Sequence, residues 1–457
     1  MRADRSRLPM VGPDPAFTFP RIARHILANG LQVRTIEHAS VPVVTFVMQI
    51  EGGAGADPRD REGLAAIVAD MVDEGTGDLS AIDISEALAR IGAVYDIDVG
   101  ADATVFTLTT LSRFADRGAV LLADMLIRPS LRDDDFERVR QLRLDRLRQL
   151  KDLPPAVAER AFLRLLYGEH PYGHLSIGSD AALRAISLEE AAAFHATGFR
   201  PGGATLVVAG AHTHEELRRI SETAFGGWAE PADLSERPTS AADIEPSAAP
   251  PRLAIVPREA AAQSELRIGH LSTRRNTPDY QALLVMNAVL GGQFVSRINL
   301  KLREEKGYTY GARTGFDWRR GISPFSLQAS VQTAPTAEAI RDSLHELDAI
   351  RGSRPPTENE LALAKASLTR GYPRNFETAQ QVARSVAQLA LYGLPDSYFE
   401  EFVPRVHAVG AADVMRAAER YLDPTRMTTL VVGDHGAISE SVRALGLGEP
   451  QLLPADV

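Results

Sequence analysis

The 457-residue chain contains no cysteine, which excludes disulfide bonds and thiolate-ligated metal sites. It also lacks any run of about 18 apolar residues, so we predict no membrane-spanning helix. Basic residues are outnumbered, with 50 against 60 acidic ones and a net charge of −10. This balance argues against non-specific nucleic-acid binding, which depends on a basic surface. The remaining composition, 44% hydrophobic and 24% charged, is ordinary for a soluble globular protein of two to four domains.

The N-terminal residues also lack a targeting pattern. Residues 1–9 read MRADRSRLP and lead into no apolar segment, so we predict no signal peptide. The cytoplasm is the expected compartment.

Two short motifs recur 224 to 225 residues later in the chain. They are Tyr167-Gly168 with Tyr392-Gly393, and Leu206-Val207-Val208 with Leu430-Val431-Val432. A repeat of this length exceeds any solenoid period and indicates duplicated domains. Between the two copies, residues 228–251 are rich in Pro, Ala, Ser, Asp and Glu, as linkers are. We therefore predict two similar α+β domains, 1–229 and 252–457, joined by a linker at 230–251, with a cleft between them for a site.

The stretch from Asn299 to Gly311 reads NLKLREEKGYTYG and changes character in the middle. Good helix formers lead up to Gly307, which predicts a helix end, and an aromatic, β-branched run follows it. This change of structure would bring Arg303 near Tyr310, and the two side chains could donate several hydrogen bonds to one carbonyl oxygen. We identify no nucleophile, general base or metal ligand in the stretch. The stretch therefore has the donors that an active site needs to bind a carbonyl oxygen, and the groups that attack the carbonyl must come from elsewhere.

Together, the repeat, the linker and the run LREEKGYTY resemble the pitrilysin-like zinc peptidases, which include the mitochondrial processing peptidases and bacterial two-domain relatives. The likeness extends from about His25 to Gly446 and includes HPYG at 170–173 and LGGQFVSR at 290–297. The resemblance implies two homologous domains, each a mostly antiparallel sheet packed with helices, which together form a clam-like half-chamber.

Active members of that family carry H-x-x-E-H on the first core helix, where two His bind zinc and the Glu activates water. The matching positions here are Ala66, Ala69 and Asp70, and the distal zinc-binding Glu aligns with Arg146. Methyl groups cannot coordinate a cation, and an arginine charge opposes one. We therefore expect no zinc or other cofactor in this chain, and an ion pair between Asp70 and Arg146 in the vacated site.

In two-subunit members of the family, the zinc-free subunit presents an Arg and a Tyr seven residues apart to the substrate carbonyl. Arg303 and Tyr310 have this spacing. The resemblance thus implies the zinc-free subunit of a heterodimeric metalloendopeptidase, inactive without a paralogous partner that carries H-x-x-E-H and the zinc. Gly291 and Gly292 would lie at the cleft entrance, where bare backbone can approach an extended peptide substrate.

Two other functions are compatible with the same fold: a catalytically inactive scaffold and a homodimeric peptide-binding module. Taken alone, Arg303 and Tyr310 could also be an ordinary helix-end ion pair and a core tyrosine. An intact Arg–Tyr pair favours the peptidase subunit, because a scaffold has no need of it.

Other polar residues have simpler structural explanations. His170 and His174 flank a Pro-Tyr-Gly turn and could bind a metal, but the turn supplies no third ligand, so we expect a structural role. His212 and His214 follow a strand and are expected at the surface. The arginine-rich helix at 138–151 has an apolar stripe and a charged face, which is either simply solvated or selects acidic substrate segments.

Overall fold

The computed structural model describes residue 12 and residues 17–231 and 240–454. The signal-peptide prediction for residues 1–9 concerns residues outside these ranges. No helix within the described ranges is long and apolar enough to cross a bilayer. The chain is a mixed α+β protein with two six-stranded sheets, one in each half.

Among the described residues, the first half holds eight strands and eight α-helices. The strands are β1 Ile22–Ile26, β2 Gln32–Glu37, β3 Val43–Glu51, β4 Gly75–Thr76, β5 Leu79–Ser80, β6 Val94–Val99, β7 Ala103–Leu111 and β8 Ala204–Gly210. The helices are α1 Leu64–Met71, α2 Ala81–Arg90, α3 Ala115–Ile127, α4 Asp133–Lys151, α5 Pro154–Tyr167, α6 Asp180–Ala185, α7 Leu188–Gly198 and α8 His214–Phe225.

The second half repeats this alternation of strands and helices. Its strands are β9 Leu253–Pro257, β10 Gln263–Thr273, β11 Thr309–Phe316, β12 Ser323–Gln332, β13 Thr428–Gly433 and β14 Gln451–Leu452. Its helices are α9 Tyr280–Leu290, α10 Arg297–Asn299, α11 Thr336–Ala349, α12 Glu358–Thr369, α13 Ala379–Leu391, α14 Tyr398–Ala408, α15 Ala411–Tyr421 and α16 His435–Arg443.

The two sheets have the same strand plan. The orders are β1-β2-β8-β3-β7-β6 and β14-β9-β13-β10-β12-β11, so β8 and β13, which carry the repeated Leu-Val-Val motif, occupy equivalent places. Every residue of β8 and of β13 is buried, because each strand is central in its sheet and has a helix packed on it, α13 on β8 and α5 on β13. Most neighbours run antiparallel, while β2–β8, β9–β13 and β9–β14 are parallel. The expected fold class is confirmed.

The two halves exchange a helix. Helix α5 of the first half packs on β10 and β13 of the second sheet, and α13 of the second half packs on β3 and β8 of the first. One continuous apolar cluster consequently contains Val47 and Val207 of the first sheet together with Val382 and Val386 of α13. Coverage on both faces favours apolar residues at consecutive positions, such as Phe46-Val47-Met48 in β3 and Leu206-Val207-Val208-Ala209 in β8.

Polar contacts fix the same junction. The Arg319 guanidinium lies 4.9 Å and 4.8 Å from the ring centres of Tyr167 and Tyr172 and donates to the Tyr172 carbonyl at 3.0 Å. The Asp102 carboxylate accepts the Arg320 N–H at 2.8 Å. The predicted linker also takes part: Ala241 lies in a short 3₁₀ turn and packs in the apolar cluster that contains both tyrosines. Residues 232–239 of the linker lie outside the described ranges.

Candidate functional site

Helix α1 corresponds to the helix that carries the zinc motif in the pitrilysin-like peptidases. The turn before it is held by a glycine and a buried carboxylate. Gly63 precedes it with φ +101°, a left-handed conformation that favours glycine. The buried Asp57 carboxylate accepts the N–H groups of Gly63 and Ala65, each at 2.7 Å, and so satisfies two donors of the first turn. His174 supports this carboxylate, with Nε2 3.1 Å from Asp57 Oδ2.

The three motif positions on α1 differ in burial, and the Asp70 side chain is 40% exposed. Ala66 and Ala69 are buried, and Asp70 forms an ion pair with Arg143 of α4, Oδ2 to Nη2 at 2.7 Å. The same Nη2 donates to the Ala66 carbonyl at 2.9 Å. An arginine therefore interacts with two of the positions that would carry ligands in a zinc-binding member.

This arrangement corrects the expected partner of Asp70, which was Arg146. Arg146 is exposed and donates to Gln149 Oε1 at 3.3 Å. The reason is helical phase: Arg143 lies four residues from Val139 and from Leu147, which are both buried, so it shares their inward face. The ion pair thus forms one turn earlier along α4 than the alignment placed it.

The surroundings of Asp70 are acidic. Burial raises the pKa of Asp70 against the opposing effect of Arg143. Burial and the nearby Glu74 raise the pKa of Asp73 to about 6. The Tyr95 hydroxyl is buried without a hydrogen-bond partner among the described residues, and burial together with the charge of Asp73 raises its pKa.

These residues do not fit a zinc ion. The one carboxylate at a motif position is already paired with a guanidinium, and the other two motif positions offer only methyl groups. Across the described ranges, no group of three or more His, Cys, Asp or Glu side chains is arranged to hold a metal.

The stretch that carries Arg303 has the predicted change of structure. Helix α10 continues into a π-helical turn at Leu300–Glu305, and Gly307, with φ +65°, ends it. The Arg303 guanidinium lies 4.2 Å from the ring centre of Phe294, and its Nε lies 3.5 Å from Glu304 Oε1. The Arg303 side chain remains 33% exposed, so solvent or a ligand can reach it.

Tyr310 sits on an irregularity at the start of edge strand β11. The pairing of β11 with β12 shifts between Thr309 and Ala312, and the Thr309 hydroxyl oxygen lies 2.9 Å from the Gly311 carbonyl oxygen and 2.7 Å from that of Ser330. Such bulges often redirect a side chain. Tyr310 is 93% exposed, so the alternative that placed it in the core is wrong.

Gly291 and Gly292 are glycines for a reason inside the chain. A Cβ on Gly291 would lie 2.5 Å from Thr314 Oγ1, and one on Gly292 would lie 2.6 Å from Asn287 Nδ2. The Gly291 carbonyl also accepts the Thr314 N–H at 3.1 Å. Close approach to β11 therefore explains Gly291, and close approach to Asn287 of α9 explains Gly292, whether or not a peptide also passes there.

Sequence reasoning missed two neighbours of Arg303. Phe294 is a large aromatic side chain with 60% exposure immediately after the glycine loop, and that position was the available signal. Asn299 is buried, donates to the Phe294 carbonyl at 2.6 Å and accepts the Ala312 N–H at 3.0 Å. No local pattern reveals the role of Asn299, since its two partners lie on opposite sides of Arg303 in sequence.

The histidines have structural partners. His170 Nδ1 accepts the Tyr172 N–H at 3.0 Å, and its Nε2 donates to the Ile244 carbonyl at 3.1 Å. His212 Nε2 lies 3.0 Å from the Ser112 carbonyl, and His214 Nδ1 lies 2.9 Å from the Thr35 hydroxyl. His212 and His214 are half-buried and hydrogen-bonded, which corrects their expected place on the surface.

Comparison with known families now adds to this geometry. The model of the insulinase family, peptidase family M16, matches residues 32–178, and the model described as the peptidase M16 inactive domain matches residues 185–368. The chain belongs to the pitrilysin-like peptidase family M16. Its α1 positions thus depart from the zinc motif of its own family.

Relatives and solved structures of the M16 family extend over nearly the whole chain. An uncharacterized zinc protease of Mycobacterium tuberculosis is 25% identical over 94% of this chain and 98% of its own length. A non-peptidase homolog of Helicobacter pylori is 21% identical over 89% of this chain and 95% of its own length. A peptidase M16 inactive domain from Pseudomonas fluorescens has the same fold, with a TM-score of 0.83 at 24% identity over 90% of this chain and 98% of that one.

Proposed function

We propose that this protein is the zinc-free subunit of a heterodimeric M16 metalloendopeptidase that cleaves peptides. The single observation that carries the proposal is the contrast between the two halves. The first half has Ala66, Ala69 and an Asp70–Arg143 ion pair where family members bind zinc, while the second half presents Arg303 and Tyr310 to solvent.

Arg303 and Tyr310 are chemically suited to stabilise an oxyanion. A guanidinium is always charged and presents a rigid fork of donors, and a phenol adds an O–H donor. Such donors accelerate acyl transfer when they are oriented before the negative charge develops on the carbonyl oxygen. The contact of Arg303 with Phe294 supports an orientation of this kind.

In this proposal the partner is a paralogous M16 subunit with an intact H-x-x-E-H motif, which supplies the zinc and the attacking water. This chain needs no cofactor of its own. The exposed Tyr310 and the partly exposed Arg303 would close over the partner's metal, and Gly291 and Gly292 would border the path of the peptide.

The proposal is tested by mixing. The protein and a relative encoded alongside it that carries H-x-x-E-H are purified separately, and hydrolysis of a fluorogenic peptide and zinc content are measured for each and for the mixture. We expect one zinc per heterodimer and hydrolysis only in the mixture. Stoichiometric zinc in the isolated chain would contradict the proposal. A stable complex with no faster hydrolysis than the partner alone would instead identify a scaffold or peptide-binding subunit.

A further inference from the structure

Phe294 is exposed although it is a large apolar side chain, and one face of its ring is covered by a cation. The ring is 60% exposed, and the Arg303 guanidinium lies 4.2 Å from its centre. A guanidinium over an aromatic face is attracted by the negative electrostatic potential of the ring. This contact accounts for the conformation of both side chains without burial in the core.

A buried amide holds the two backbone segments that make this contact possible. Asn299, 4% exposed, donates from Nδ2 to the Phe294 carbonyl at 2.6 Å and accepts the Ala312 N–H at 3.0 Å. Ala312 follows the bulge that carries Tyr310. One side chain therefore fixes the segment of Phe294 relative to the strand of Tyr310, and the helical turn between them carries Arg303.

We propose that Phe294 is a positioning residue that orients the Arg303 guanidinium. A free arginine side chain samples many rotamers, and ordering it during reaction would cost conformational entropy. Stacking on Phe294 restricts the guanidinium before a substrate arrives, and the exposed edge keeps N–H donors available. The effect of this positioning on catalysis rests on the proposed function, whereas the positioning itself belongs to the isolated chain.

The catalytic part is tested in the complex with the zinc-bearing partner. Phe294→Leu keeps an apolar side chain but removes the aromatic face, and we expect kcat to fall about three- to tenfold with little change in KM. Phe294→Tyr keeps the face and should retain nearly full kcat. Combining Phe294→Leu with Arg303→Ala should be no slower than Arg303→Ala alone, because the ring acts through the arginine.

Ile82→Ala, which removes a side chain 72% exposed on α2, is the control for loss of an exposed apolar group. Wild-type kcat in Phe294→Leu would overturn the inference. So would a double variant in which Phe294→Leu lowers kcat below that of Arg303→Ala by the same factor as it does in the wild-type background. If Arg303→Ala itself is fully active, the proposed function fails, and the catalytic role of Phe294 fails with it.

Positioning is measured without any partner by NMR of the isolated chain with labelled arginine. Ring current should shift the side-chain resonances of Arg303, which are assigned by their loss in Arg303→Lys. We expect the shift to disappear in Phe294→Leu and to persist in Phe294→Tyr. An Arg303 signal at the ordinary position in the wild-type chain would overturn the inference even if the complex is active.

Discussion

The Asp70 carboxylate and the Arg143 guanidinium meet at 2.7 Å and join α1 to α4. Arg143 also donates to the Ala66 carbonyl, so one arginine bridges two positions that hold zinc ligands in active M16 enzymes. A structural ion pair thus stands where the family places a catalytic metal.

Removal of Arg143 should destabilise the protein. Arg143→Ala leaves the Asp70 carboxylate, whose side chain is 40% exposed, without its ion-pair partner, which we expect to lower the free energy of unfolding by about 1 kcal/mol in urea denaturation. Arg146→Ala, on the exposed face of the same helix, should change it by less than about 0.5 kcal/mol. If the two variants lose equal stability, the assignment of the partner is wrong.

The raised pKa of Asp73 predicts a stability that falls as pH rises. Its pKa is about 6 in the folded chain, against an ordinary value of 3.8 for an aspartate, so between these pH values the folded state binds more protons than the unfolded state. Ionisation of Asp73 above pH 6 therefore opposes folding. At pH 7.5, Asp73→Asn should unfold at a higher urea concentration than wild type, with a free energy of unfolding that is larger by about 1–2 kcal/mol. The difference in free energy should vanish near pH 4.

The control for this prediction is Asp78→Asn, which alters an exposed carboxylate a few residues away. It should leave the pH dependence as in the wild type. A stabilisation by Asp73→Asn that is the same at pH 4 and pH 7.5 would contradict the electrostatic cause.

Glu360 should act in the opposite direction. Its hydrogen bonds with Arg297 lower its pKa from 4.5 to about 2, so its contribution to stability is complete above pH 4.5 and is lost as pH falls toward 2. Glu360→Gln should cost about 2 kcal/mol at pH 7 and progressively less below pH 4. Glu358→Gln, exposed on the same helix, is the control and should cost little.

The Glu360 experiment also tests what holds the helix that leads to Arg303. Arg297 begins the short helix that leads to Arg303, and its guanidinium is buried against Glu360 and the Arg354 carbonyl. A Glu360→Gln protein with wild-type stability at pH 7 would show that this ion pair does not hold the helix in place.

The sequence predicted the architecture where a pattern repeats. The Leu-Val-Val runs at 206–208 and 430–432 predicted equivalent strands, because a strand that is central in its sheet and covered on both faces favours consecutive apolar residues. The helix end at Gly307 was also predictable, since glycine readily adopts the positive φ that this end requires.

Other features could not be read from local patterns. Periodicity shows that α5 and α13 each have an apolar face, but it does not show that each covers the sheet of the opposite half. Family spacing places the partner of Asp70 one turn too far along α4, because it takes no account of the inward face set by the buried Val139 and Leu147. The Phe294–Arg303 contact depends on the rotamers of both side chains and on the path of the largely helical segment between them, which are nine positions apart in sequence.

The most direct test of the account is kcat of the complex between this protein, carrying Arg303→Ala or Tyr310→Phe, and the proposed zinc-bearing partner. The account predicts that loss of either donor lowers kcat by about 10²–10³, with KM changed much less. Matched controls are Arg405→Ala, an exposed arginine on α14, and Tyr308→Phe, two residues from Tyr310. These controls should stay near wild type. Wild-type kcat in both Arg303→Ala and Tyr310→Phe would contradict the account.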